Sequence, residues 1–123
     1  MSEHYIENRP WGSYEILSQF PVSKSDGSDV CVKKITVKPG QKLSYQSHKQ
    51  RNEHWFFVQG QGKVVLNDRE IIVGIGSSLD IKIGDKHRAI NTSKEVDLIF
   101  IESQTGHYDE NDIERFEDDY GRV

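Results

Sequence analysis

A single cysteine, Cys31, and one methionine are all the sulfur that these 123 residues carry. One thiol has no partner within the chain, so no internal disulfide frames the fold and a reducing compartment is expected. Its neighbours VCVKKITV read as a strand, which makes Cys31 a buried, inert thiol rather than a nucleophile. Proline is scarce at 3, and the 10 glycines form no low-complexity tract. Long apolar runs are missing: nothing approaches the length a bilayer demands, and the opening MSEHYIENRPWG has no apolar leader core. Positive charge is outnumbered, 16 Lys and Arg against 20 Asp and Glu, for a net −4. Nucleic acid requires a concentrated basic face, so neither it nor a membrane is an expected partner. The expectation is a cytoplasmic chain folded as one domain over 1–123, a length that suits one core.

What is present is a rhythm of short apolar or alternating runs, among them VCVKKITV, KLSYQSH, EHWFFVQG, GKVVLN and VDLIFIES. Between them lie KPGQ, HKQRN, QGQG, IGDK and NTSKE, whose Gly, Asn, Asp and Pro suit turns. Such spacing predicts an all-β sandwich or barrel with its core over about 9–105. The tail 109–123 breaks the pattern: Asp109 is placed to cap a short helix, with Ile113 and Phe116 at an i, i+3 spacing that grips the barrel.

The densest polar chemistry is QSHKQRNEHW, Gln46 to Trp55. Side chains alternate along a strand, so Lys42, Ser44, Gln46 and His48 share one face. The offset from His48 to Glu53 is odd, and a turn or bulge in KQRN is needed to bring them together. Glu53, Trp55 and Phe57 then face one way, while His54, Phe56 and Val58 face the other. His87 opens the strand HRAIN after the turn IGDK, where a barrel presents side chains at its mouth. Gln46, His48, Glu53 and His87 together offer two imidazole nitrogens and two oxygens. That set suits one divalent ion, zinc first, with manganese, iron, cobalt or nickel as alternatives.

The spacing Gly40-x5-Gln46-x-His48-x4-Glu53-x6-Gly60 resembles the first motif of the cupin superfamily, with glutamine where histidine is usual. Gly76-x5-Lys82-x-Gly84-x2-His87-x3-Asn91 resembles the second, with Lys82 in place of a usual proline. RPWGSYE, the string from VKKITV to QGQGKV and the tail DIERFEDDYGR narrow the resemblance to type II phosphomannose isomerases, from about Arg9 to Arg122. The resemblance implies a double-stranded β-helix, or jelly roll, of the kind that usually follows a mannose-1-phosphate guanylyltransferase domain. It also implies the four metal ligands just named, since phosphomannose isomerases carry glutamine at one ligand position. With no guanylyltransferase domain in these residues, the chain is not expected to make GDP-mannose, and a separate sugar nucleotidyltransferase is a candidate pathway partner.

The implied reaction interconverts mannose 6-phosphate and fructose 6-phosphate by proton transfer between C1 and C2 through a cis-enediol. It needs a cation beside the developing oxyanion and a general base with a pKa near neutrality. Arg51 and His54 are the catalytic candidates that the family string brings forward. Arg51, expected in the turn, suits an anion bidentately, its alternative being an exposed turn arginine. Parity points His54 away from the metal, so a structural His54 stands beside a catalytic one. Lys42 and Ser44 are the first choices for substrate phosphate, with Arg88 and Arg51 as further contacts. A homodimer is expected, with Phe56 and Val58 facing the partner. Two rival readings remain: a non-catalytic module binding a sugar or nucleotide sugar, and another cupin enzyme such as an epimerase or oxygenase.

Overall fold

The computed structural model describes residues 4–25 and 27–122. Its strands are β1 (Tyr5–Arg9), β2 (Gly12–Pro21), β3 (Asp29–Val37), β4 (Tyr45–Ser47), β5 (Arg51–Gln59) and β6 (Gly62–Leu66). They continue with β7 (Arg69–Val73), β8 (Ser78–Ile81), β9 (His87–Asn91), β10 (Leu98–Gly106) and β11 (Glu114–Glu117). One antiparallel sheet has the order β1-β2-β3-β10-β5-β8, and a second, facing it, has β11-β4-β9-β6-β7. The expected all-β jelly roll is therefore found. No helix among the described residues is long and apolar enough to cross a membrane.

The inward faces explain why one end of this barrel is a core and the other a site. Along β5, Arg51, Glu53, Trp55 and Phe57 point in; along β10, Leu98, Phe100, Glu102 and Gln104 do; along β3, Cys31, Lys33, Ile35 and Val37 do. Register aligns these strands so that Val37 lies beside Leu98 and Phe57 beside Phe100, whereas Lys33 lies beside Glu102 and Glu53 beside Gln104. The apolar half thus forms a floor, closed by Trp55, Phe57 and Phe100 with ring centroids 4.5 and 4.8 Å apart along the chain of contacts. Each such ring contributes about 1.5–3 kcal/mol by leaving water. The polar half is left facing a cavity.

One expectation changes. The tail is not helical: Asp109 Oδ1 instead accepts from Asn111 N at 2.9 Å in a tight turn, and 114–117 pair with β4 as strand β11. The physical reason is the exposed edge of β4, whose backbone groups find partners in the tail. Phe116 does grip the barrel, edge-on to Tyr45 at 6.2 Å, but from a strand. On the outer face of β5, where parity puts them, Phe56 is 44% and Val58 40% exposed.

Candidate metal centre and its cavity

Residues 48–50 link β4 to β5 and supply the change of parity that His48 and Glu53 require. Arg51 is not in that turn; it is the first residue of β5 and is buried. Gly106, the last residue of β10, holds the turn close, because a Cβ there would meet Gln50 O at 2.3 Å and its φ is +128°. His87 enters from β9, with Gln46 directly opposite it on β4.

His48 Nε2 lies 3.2 Å from Glu53 Oε2, and His87 Nε2 lies 3.8 Å from Glu53 Oε1. One ligand atom from each of the three falls within 4.8 Å of the others. Backbone carbonyls fix both imidazole tautomers. His48 Nδ1 donates to Asp112 O at 2.6 Å, and His87 Nδ1 donates to Asp85 O at 2.9 Å, so both Nε2 atoms keep their lone pairs facing Glu53. Arg51 Nη2, 3.2 Å from His48 Nε2, agrees with that tautomer because it can only donate. Burial above all lowers His48 to about 4, which keeps it neutral near pH 7 and competent as a ligand. For Glu53, burial pushes upward, but His87, His48 and Arg51 outweigh it and lower the pKa to about 2. Lone pairs of two imidazoles and a carboxylate converging in a buried space are an arrangement that a cation satisfies. These three residues fit a metal ion, and Gln46 lies on the wall of the same cavity, directly opposite His87.

The support around the ligands is built from the same segments. Trp55 Nε1 donates to Glu53 Oε1 at 2.9 Å, and Arg51 Nε donates to Glu53 Oε2 at 3.0 Å, so the core tryptophan orients a ligand. Asp112 accepts from Lys49 N and Gln50 N, each at 2.9 Å, while its carbonyl takes His48. Lys82, where proline was expected, uses the N–H that proline lacks to donate to Asp85 Oδ2 at 2.9 Å, and Gly84 N donates to His48 O at 2.8 Å. Asp112→Ala should therefore cost about 2 kcal/mol of stability, from two lost charge-assisted bonds at a partly wet site. It should also weaken metal binding by about tenfold or more through the loosened His48 ring. Urea unfolding and metal titration of the variant check both.

The cavity in front of the ligands measures about 350 Å³. Of the substrate residues expected from sequence, Ser44 and Arg51 line it. Lys42 instead pairs with Asp119 at 3.3 Å, and Arg88 donates from Nε to Leu43 O at 2.9 Å, so the structure brings neither to the cavity wall. His54 lies on the outer face with its side chain 49% exposed and Nδ1 2.7 Å from Asp80 Oδ1, away from the ligands, as parity indicates. Sequence reading passed over Glu102, Arg9, Arg115 and Arg122, all on the wall. Glu102 was findable: it follows Leu98 and Phe100 at the inward positions of LIFIES, where a charge needs a reason. Burial first, then the Glu53 charge, raise its carboxyl to about 7, against the opposing pull of Lys33 and Arg51. The arginines gave no comparable signal, since their approach depends on where the ends of the chain fold.

A family model described as "Mannose-6-phosphate isomerase C-terminal" matches residues 1–118. The chain belongs to this family. Among curated relatives, it is 40% identical over 125 residues to the mannose-1-phosphate guanylyltransferase ManC of Salmonella typhimurium, covering 98% of this chain and 24% of that protein. It is 44% identical over 116 residues to the alginate biosynthesis protein AlgA of Pseudomonas aeruginosa, covering 94% of this chain and 22% of that one. The chain thus spans about a quarter of the length of these relatives, a distance from their full activities that matters below. Among solved structures, the capsular polysaccharide assembling protein CapF from Staphylococcus aureus superposes with a TM-score of 0.77 at 20% identity, over 96% of this chain and 35% of that one. KdgF from Halomonas sp. does so at 0.72 and 17%, over 88% and 91%. At such identities these likenesses speak for the cupin fold alone. In this mannose-6-phosphate isomerase C-terminal family member, His48, Glu53 and His87 are the residues able to hold a metal.

Proposed function

We propose that the chain is a metal-dependent aldose–ketose isomerase that interconverts mannose 6-phosphate and fructose 6-phosphate. The observation that carries the reading is one cavity holding two distinct chemistries: converging Nε2 and carboxylate ligands from His48, Glu53 and His87, and a second carboxylate, Glu102, that is not among them. A bound divalent ion, zinc first and manganese, iron, cobalt or nickel otherwise, would supply electrophilic stabilisation of the oxygens on C1 and C2. Glu102 is the general base in this reading. Its raised pKa suits a proton that must leave one carbon and return to the next, as efficient acid–base catalysis near neutral pH requires. Arg51 holds Glu53 in place through Nε, which makes it a positioning residue as well as a contact for developing negative charge. Ser44, buried on the same wall, offers a hydroxyl to the sugar. His54 has no role in this scheme, because its ring faces Asp80.

The exposed Phe56 and Val58 support a homodimer through the outer face of β5, in a cytoplasmic protein whose pathway partner is a sugar nucleotidyltransferase. A second reading is a module that binds a sugar or nucleotide sugar without turnover, the relatives ManC and AlgA carrying this domain as about a quarter of their length. Purified protein loaded with each metal in turn should convert fructose 6-phosphate to mannose 6-phosphate. Absence of product from every metal with hexose and pentose phosphates, together with thermal stabilisation by a sugar ligand, would decide for the module.

A further inference from the structure

Five cationic side chains line the cavity: Arg9, Lys33, Arg51, Arg115 and Arg122. Four of them have a carboxylate within ion-pair distance. Arg51 Nε is 3.0 Å from Glu53, Lys33 Nζ is 2.8 Å from Glu110, Arg122 makes two contacts with Asp118 at 2.8 and 2.9 Å, and Arg9 pairs closely with Glu7. Arg115 is different. Among the described residues no carboxylate comes within ion-pair distance of it, and its buried Nε has no hydrogen-bond partner.

Its placement follows from the register of the tail strand. Arg115 lies directly opposite Gln46, and Gln46 directly opposite His87, so the three form a row across β11, β4 and β9. Opposite residues in an antiparallel pair share a face, and here it is the cavity face. Phe116 takes the other face, against Tyr45. Two strand spacings separate Arg115 from His87, roughly 10 Å between backbones. That is the reach of an open six-carbon sugar whose reacting end lies at the metal ligands.

We propose that Arg115 binds the terminal phosphate of the substrate, its guanidinium and the neighbouring Arg9 and Arg122 forming an anion subsite in the same cavity, two strands across from His87. The subsite rests on the isomerase reading only for the identity of the sugar; a phosphate monoester is what the guanidinium recognises. A planar guanidinium takes phosphate oxygens bidentately, and the partly buried Arg115 has a buried Nε–H whose missing partner an anion would supply. Burial and the neighbouring Arg122 both disfavour the charge on Arg115, in keeping with a position built for a ligand. Arginine does not deprotonate to escape that cost.

The test uses metal-free protein, so that binding is read without turnover. Calorimetry with fructose 6-phosphate, inorganic phosphate and unphosphorylated fructose compares wild type with Arg115→Gln and Arg115→Lys. Arg115→Gln should bind fructose 6-phosphate about 10- to 100-fold more weakly, the loss expected for a charge-assisted bond. Arg115→Lys should recover part of it, as a point charge without the fork. In the wild-type protein, the Arg115 Nε–H NMR resonance should move on adding inorganic phosphate, a readout that survives even if the variants fold poorly. Equal affinity of Arg115→Gln and wild type for fructose 6-phosphate, or an Arg115 resonance indifferent to phosphate, overturns the subsite. Arg115-dependent binding without any isomerisation would leave the subsite standing and remove the isomerase reading. Isomerisation with an unchanged KM in Arg115→Gln would do the reverse.

Discussion

His48→Ala should lose divalent metal altogether under conditions where the wild-type protein retains one ion per chain, and isomerase activity should go with it. Residues that only orient a metal-bound histidine are worth about 10- to 100-fold in affinity, so removing a ligand should exceed about 100-fold. The barrel should survive. His48 is anchored by one hydrogen bond to Asp112 O, and a bond of that kind is worth about 1 kcal/mol net, far less than the apolar floor provides. Metal analysis after desalting and calorimetric titration measure the first effect, and a thermal melt the second. Stoichiometric metal at wild-type affinity in His48→Ala would mean that the ion, if any, sits elsewhere.

Glu102→Gln should cut the isomerisation rate by about 10²–10⁴-fold, the range for loss of a positioned general base, while metal content stays as in the wild type. The same variant has a second signature in stability. Glu102 has a native pKa of about 7 against an ordinary 4.5, so the folded state holds its proton more tightly than the unfolded chain does. Its contribution is therefore fully present below about 4.5 and is lost as pH rises towards 7. Metal-free Glu102→Gln should gain melting temperature over wild type at pH 8 and show little difference at pH 4. A gain that is equal at both pH values would show that Glu102 carries no such penalty. Unchanged turnover would remove it as the base.

The convergence of His48, Glu53 and His87, with Gln46 on the same cavity wall, was legible because two rules acted locally. Strand parity placed Gln46 and His48 on one face, and a turn chemistry in KQRN allowed Glu53 to rejoin them. His87 was legible from its place at a strand opening. The same parity rule that turned His54 outward would have turned Glu102 inward, had LIFIES been read for its polar position as well as its apolar ones. Lys42 and Arg88 show where the rule stops. Arg88 lies in β9 and Lys42 bridges to that strand at Ile90, yet Asp119 and Glu117, from the tail, draw their charges away from the cavity. The tail itself was misread as a helix because Ile113 and Phe116 fit either period, and only the open edge of β4 settles the choice. Arg115 could not be placed before that pairing was known.

The contact between His48 and the carbonyl of Asp112 joins residues 64 positions apart. It sets an order of events in folding. His48 and Glu53 meet through one short turn, whereas the carbonyl that fixes the His48 imidazole must be brought from residue 112. Long-range contacts of this kind form late, after the loop entropy between them has been overcome. Docking of strand β11 on β4 is then the step that aims the His48 ring at the place where a metal can be held.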